Sequence, residues 1–113
     1  HLDLLLRLGP EARPALPDLR RWMLDRDPWE AGLCAVAVWN CEHNVDEVLP
    51  TLSLSLRLSA DPRMVRALGE MPMARVAGDL LFALRHEDPI IREAAAEALA
   101  RGGRPAGTGA VVA

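Results

Sequence analysis

The sequence contains no lysine and no tyrosine, and it has a single phenylalanine and only two cysteines. All thirteen basic residues are arginine, and sixteen acidic residues bring the net charge to −3. Non-specific affinity for nucleic acid depends on clustered cations, whereas acidic and basic residues are interspersed here. The composition therefore predicts no broad phosphate-binding surface and no nucleic acid among the partners.

Long apolar runs are also missing. The longest one, Leu33 to Trp39, is far shorter than the roughly 20 residues that a membrane-spanning helix needs, so we expect no membrane partner. Cys34 and Cys41 are seven positions apart and would lie on one helix, too far apart for a disulfide. Two free thiols indicate a reducing compartment, and we predict a cytoplasmic location.

What the chain does contain is one repeated pattern: an apolar helical run, a short polar turn that ends in Asp-Pro, and a second apolar helical run. The dipeptides are Asp27-Pro28, Asp61-Pro62 and Asp88-Pro89. An aspartate can accept hydrogen bonds from the free amides of a first helical turn, and proline suits the first helical position. A helix is therefore predicted to begin at each of these prolines.

The pattern divides the chain into a half repeat at 1–9, three units at 10–44, 45–71 and 72–103, and a flexible tail or truncated next repeat at 104–113. The predicted helices cover 11–24, 28–39, 45–58, 73–85 and 89–101, and Pro72 cuts the second helix of the middle unit short. The pattern predicts that Leu16, Leu19, Met23 and Leu24 form the buried side of the first of these helices. Gly9 is predicted to end the half repeat in a left-handed conformation.

The segment 45–58 is ambiguous, because four leucines between 52 and 58 alternate with polar residues as in a half-buried strand. Its apolar residues also satisfy helical spacing, leucine and serine are not β-branched, and both neighbouring units place a helix at this point. We predict a helix in which a second buried face accommodates Leu54 and Leu58.

Three fragments carry a family resemblance: "LGPEARPALPDL", "DRDPWEAGLCAVAVW" and "EDPIIREAAAEALARGG". They resemble bacterial HEAT-like repeats, the type also found in phycobilin lyases, and the resemblance covers most of residues 2–103. It implies an all-α, right-handed α-solenoid of about three helix pairs that is a fragment of a longer array. The chain departs from the pattern at Glu30, which replaces an apolar residue, and at Ala31 and Val65, which stand where the third unit has the arginine of the pattern, Arg92. Arg92 is predicted to contact Asp88, four residues earlier.

Residues capable of metal or acid–base chemistry are few. Cys41, His43 and His86 do not make up the ligand set of a zinc site. His86-Glu87 resembles the His-Glu pairs of HEAT-repeat di-iron hydroxylases, but that family has the pair inside the second helix, where this chain has Arg92 and Glu93. We therefore predict no metal, no cofactor and no catalytic residue.

The three tryptophans could each contribute to binding, since tryptophan is enriched in binding hot spots. Together with Asp25 and Asp27 they resemble the groove of HEAT-like DNA glycosylases, but the net acidity and the lack of lysine argue against that function. Trp22 and Trp39 are predicted to lie in the core or in the packing between units. Trp29, next to the turn, is the best surface candidate.

The family resemblance implies a non-catalytic scaffold that binds another protein or peptide. The alternative is an accessory HEAT-repeat region of a larger enzyme or lyase whose active site lies outside this segment. In a solenoid, exposed positions early in successive second helices are neighbours, which predicts one strip of mixed charge with a single aromatic anchor. Its residues would be Trp29, Glu30, Arg63, Arg66, Arg92 and Glu93. The competing interpretation is that these are solvated helix residues without a role.

Overall fold

The computed structural model describes residues 2–102, and within them the only regular structure is helical. The prediction of an all-helical chain is therefore confirmed, whereas the predicted tail at 104–113 lies outside the described residues. The elements are α1 (Leu2–Leu8), a 3-10 helix (Gly9–Ala15), α2 (Leu16–Asp25), α3 (Pro28–Glu42), α4 (Val45–Leu58), α5 (Pro62–Gly69), α6 (Met73–Leu84) and α7 (Pro89–Gly102).

The Asp-Pro dipeptides start helices as predicted, since α3, α5 and α7 each begin at the proline. Asp27 accepts a hydrogen bond from the backbone amide of Glu30 at 2.9 Å. Asp61 accepts one from the amide of Arg63 at 2.9 Å, and Asp88 one from the amide of Ile90 at 2.9 Å. Each aspartate thus satisfies an amide that has no partner within its own helix.

The ambiguous segment 45–58 is a helix with the predicted bounds. Its buried residues, Val48, Leu52, Ser55 and Leu56, follow helical spacing. The prediction that Leu54 and Leu58 are buried is wrong, because these side chains are 60% and 61% exposed. Both lie outside the apolar stripe of α4 that faces the core. Two of the four alternating leucines are therefore on the outer side of the helix.

Two predicted helix bounds are corrected by the structure. The predicted helix 11–24 is a 3-10 helix up to Ala15 and an α-helix only from Leu16, because Pro14 and Pro17 lack the amide hydrogens that a regular α-helix would use. The helix predicted to end at 39 continues to Glu42 and stops at His43, which has a left-handed φ of 54°. Gly9 does have the predicted left-handed conformation, with φ of 58°.

The chain divides into two compact units, unit 1 up to Met64 and unit 2 from Val65. In unit 1, α3 packs against α1, the 3-10 helix, α2 and α4. It is buried around most of its circumference, as a helix that is apolar on every side should be, and Leu33, Ala35 and Val38 have no exposed surface. Leu24, predicted to be buried, is exposed at the end of α2. The predicted repeat limits rest on similarity between segments and stay a prediction.

Arginines also connect the elements around α3. Arg20 of α2 pairs with Glu47 at 2.5 Å and with Glu42 at 3.2 Å. Arg13 pairs with Glu42 at 2.9 Å and donates to the carbonyl oxygen of Cys41 at 2.6 Å. Such partly exposed pairs contribute at most about 1 kcal/mol each, but they make Arg13 and Arg20 structural residues.

In unit 2, α6 packs against α7. The contact is made by small and aliphatic side chains that include Val76, Leu80 and Ala95, all buried. A Cβ atom at Gly69 would lie 2.7 Å from the Cβ of Ala98, so this glycine allows α5 and α7 to approach closely. Leu80 is buried, whereas its neighbour Leu81 is 50% exposed.

Within residues 2–102, no helix has the length and apolar character that crossing a membrane requires.

Candidate protein-interaction surface

A buried carboxylate organises the surface around Trp29. Asp61 is 9% exposed, and its Oδ2 accepts a hydrogen bond from the indole Nε1 of Trp29 at 3.1 Å. Arg63 forms a fork on the same carboxylate, with Nε 3.0 Å from Oδ1 and Nη2 3.1 Å from Oδ2. A two-point contact of this kind fixes the plane of the guanidinium as well as its position. We refer to Trp29, Asp61 and Arg63 as the Asp61 network.

The electrostatics of the Asp61 network favour its charged form. Burial by itself raises the pKa of Asp61, but hydrogen bonds from the side chain and amide of Arg63 and from Trp29 outweigh it and lower the pKa below its ordinary value. The hydrogen bond to Asp61 likewise raises the pKa of Arg63, against the effect of its partial burial. The pair is therefore ionised at neutral pH.

Arg63 also reaches the first helix of unit 1. Its Nη1 lies 3.3 Å from Oδ1 of Asp3, whose side chain is 76% exposed. Asp3, Leu6, Arg7 and Arg63 line a cavity of about 490 Å³. The guanidinium thus has one side against a buried acid and the other side toward an open, partly apolar cavity.

Trp29 itself combines exposure with a fixed orientation. The side chain is 40% exposed, although its indole N–H is bound to Asp61. Glu30, the residue that breaks the repeat pattern, is half-buried and lies 3.7 Å from Arg26 in an ion pair. Arg26 in turn lies over the ring of Trp22, with its guanidinium carbon 4.7 Å from the ring centroid.

The other predicted surface residues belong to unit 2. Arg66 and Glu93 are exposed. Arg92 donates from Nη1 to the backbone carbonyls of His86 at 2.8 Å and Glu87 at 2.9 Å. The predicted partner was Asp88, and this prediction is wrong, because the guanidinium of Arg92 donates to these two backbone oxygens instead. The structure brings Trp29 and Arg63 together through Asp61 within unit 1, and the continuous strip across both units stays a prediction.

The predicted burial of Trp22 and Trp39 can be compared with the structure. Trp39 is buried as predicted and packs against the ring of His43, with centroids 4.9 Å apart. Trp22 is only half-buried and lines a cavity of about 290 Å³ with Leu2, Arg26, Glu30 and Cys34. The prediction of a core position is therefore only partly correct for Trp22.

The cysteines are free and buried. Burial raises the pKa of Cys34 to about 11, an effect that Arg26 partly offsets. Burial also raises the pKa of Cys41, and its Sγ lies 3.5 Å from the carbonyl oxygen of Gly9. No group of three or more His, Cys, Asp or Glu residues between 2 and 102 is arranged to hold a metal ion.

These thiols should react slowly in the folded protein. At pH 8 we expect iodoacetamide to modify Cys34 about 100-fold more slowly than in the unfolded chain, since burial excludes the reagent and depletes the thiolate. Mass spectrometry with and without about 6 M guanidinium chloride, a concentration that unfolds ordinary domains, gives the two rates. Equal rates would show that the cavity beside Cys34 opens freely.

Sequence reasoning identified Trp29, Glu30 and Arg63 but missed Asp3 and Arg7, and it gave Asp61 only the role of a helix cap. The contact between Trp29 and Asp61 joins residues 32 positions apart, and that between Arg63 and Asp3 joins residues 60 apart. Local patterns carry no signal for such pairs. The nearest signal in the sequence was that Arg63 directly follows the Asp61-Pro62 dipeptide.

Comparison with known protein families, with curated proteins and with solved structures finds no match to this chain.

Proposed function

We propose that the chain is a HEAT-like repeat segment, arranged as a right-handed α-solenoid of about three helix pairs, that binds another protein or peptide without catalysing a reaction itself. Its all-helical structure and the recurring Asp-Pro helix starts support the repeat assignment. The Asp61 network supports the binding role.

The observation that carries the proposal is an exposed tryptophan held in one orientation by a buried acid. Tryptophan and arginine dominate the energetics of protein interfaces, where a few anchored side chains contribute most of the affinity. A side chain that is already fixed loses little conformational entropy when a partner covers it. Trp29 and Arg63, both fixed by Asp61, therefore suit a partner surface better than mobile residues would.

The charges around this surface are mixed. Glu30, Arg26, Asp3, Arg7 and Arg63 place both signs within unit 1. A mixed surface favours a protein with complementary charges over a polyanion, which needs clustered cations. Arg66, Arg92 and Glu93, which belong to unit 2, stay sequence-based candidates for partner contact, and the proposal rests on the residues of unit 1.

The test begins with the partner that the complete protein captures from its source cell. Once this partner is purified, we expect Trp29→Ala to weaken its binding by about 30-fold, the effect of losing a moderate hot spot. Trp29→Phe keeps the ring and should weaken binding less. The far-UV circular dichroism of both variants should match that of the wild type.

The matched control is Arg21→Glu, a charge reversal on α2 at an exposed arginine that pairs with Asp18. It should leave capture intact. Arg20 is unsuitable as a control because its ion pairs with Glu42 and Glu47 join α2 to α3 and α4. Loss of capture in Arg21→Glu with full capture in Trp29→Ala would place the binding surface elsewhere.

A further inference from the structure

Resting on the proposed function, we propose that the cavity beside the Asp61 network binds an aspartate or glutamate side chain of the protein partner, and that Asp3 occupies the place of that carboxylate in the free chain. The cavity is the one lined by Asp3, Leu6, Arg7 and Arg63, with a volume of about 490 Å³. We call it the arginine cavity.

Asp61 fixes the orientation of Arg63. Asp61 takes the Nε and Nη2 donors of this side chain, at 3.0 and 3.1 Å. Nη1 therefore points away from the buried acid, toward Asp3. A guanidinium fixed in this way is a preorganised donor for a carboxylate that arrives from solvent.

The contact between Arg63 and Asp3 is weak. The distance from Nη1 to Oδ1 of Asp3 is 3.3 Å, longer than the roughly 2.7–2.9 Å of a strong charge-assisted hydrogen bond. The side chain of Asp3 is also 76% exposed, and exposed ion pairs contribute little stability. A partner carboxylate can therefore displace Asp3 at little cost.

The arginine cavity carries a surplus of positive charge. Arg7 lines the arginine cavity and forms no hydrogen bond or ion pair with another residue between 2 and 102. Two guanidinium groups thus face one weakly bound carboxylate, in a chain whose net charge is −3. Leu6 adds an apolar wall, so a segment with an acidic residue next to an aliphatic one is the best fit.

The probe is a blocked peptide, acetyl-Ser-Leu-Glu-Leu-Ser-amide, with the matched peptide in which Gln replaces Glu. Each is titrated into the complete chain at low salt and followed by NMR at the indole N–H of Trp29 and the Nε–H of Arg63. Trp29→Phe and Arg63→Lys assign these two signals. We expect saturable shifts of both signals with the Glu peptide and binding about tenfold weaker with the Gln peptide.

Variants separate a binding role from a merely structural one. Asp3→Asn removes the competing carboxylate and should tighten binding of the Glu peptide about two- to fivefold. Asp25→Asn changes the net charge equally at an exposed site on α2 and should leave the affinity unchanged. Arg7→Gln should weaken binding, whereas Arg21→Gln should not.

The inference is overturned if the two peptides bind equally or not at all, if Asp3→Asn and Asp25→Asn behave alike, or if inorganic phosphate binds more tightly than the Glu peptide. The last outcome would assign the arginine cavity to phosphorylated ligands. None of these results contradicts the proposed function. The proposed function is contradicted separately if Trp29→Ala binds the purified partner as tightly as the wild type.

Discussion

Replacing Gly32 by leucine is expected to destabilise unit 1 by about 3 kcal/mol, at the upper end of the usual cost of overpacking. Even a Cβ atom at this position would lie 2.7 Å from the Cβ of Ser55 on α4 and would overlap the end of the Met64 side chain. Met64 can move because it is flexible, but the Cβ of Ser55 is fixed to its backbone. Relief therefore requires α3 and α4 to separate.

Urea unfolding followed by tryptophan fluorescence measures this effect, because all three tryptophans are in unit 1. The matched control is Gly78→Leu in α6, where a Cβ atom meets nothing within 4 Å. There the gain in helix propensity should leave unit 2 slightly more stable, by about 0.5–1 kcal/mol, as followed by circular dichroism. If Gly32→Leu unfolds at the wild-type urea concentration, the close approach of α3 and α4 is wrong.

The different surroundings of these two glycines could not be predicted from the sequence. Gly32 and Gly78 both lie inside predicted helices, and nothing in their local sequence distinguishes them. Gly32 lies where two helices cross closely, and Gly78 lies at an open surface. This difference arises from the packing of segments that are distant in the sequence. The tight packing at Gly32 is due to the side chains of residues 55 and 64, which are more than twenty positions away in the sequence.

Helix starts could be predicted because their determinants are local. An aspartate before a proline specifies both the cap and the first helical residue, and all three such helices begin where the sequence placed them. The end of α3 was missed for the converse reason. His43 stops this helix in a left-handed conformation that favours glycine or asparagine, and its contact with Trp39 has no recognisable sequence pattern.

Burial was harder to predict than helix position. Leu24, Leu54 and Leu58 are as apolar as the leucines of the core, but they lie outside the stripes that α2 and α4 bury. Composition shows which residues can be buried, whereas the number of neighbouring helices determines how many are. Trp29 was correctly predicted to be exposed, but its partner Asp61 was not predicted, because the side chains meet only after α3 and α5 are in place.

Replacing Asp61 by asparagine should therefore affect both stability and the binding surface. At pH 7 we expect a loss of about 2 kcal/mol, from a weaker helix cap and from charge-assisted hydrogen bonds to Arg63 and Trp29 that become neutral ones. The indole N–H signal of Trp29 should shift in the NMR spectrum. Asp25→Asn, at an exposed site on α2, should change neither quantity.

The pH dependence gives the sharper test. The pKa of Asp61 in the folded chain lies below its ordinary value of 3.8, although burial opposes this, because Arg63 and Trp29 donate to its carboxylate. Its contribution to stability is thus complete above about pH 5 and is lost as pH falls through the folded-state pKa. The difference in unfolding free energy between the wild type and Asp61→Asn should be constant from pH 7 to about pH 5 and should narrow below about pH 4. A difference that stays constant down to about pH 2.5 would mean that the Asp61 carboxylate is not preferentially stabilised in the fold. The fixed orientation of Trp29 and Arg63 would then lose its physical basis.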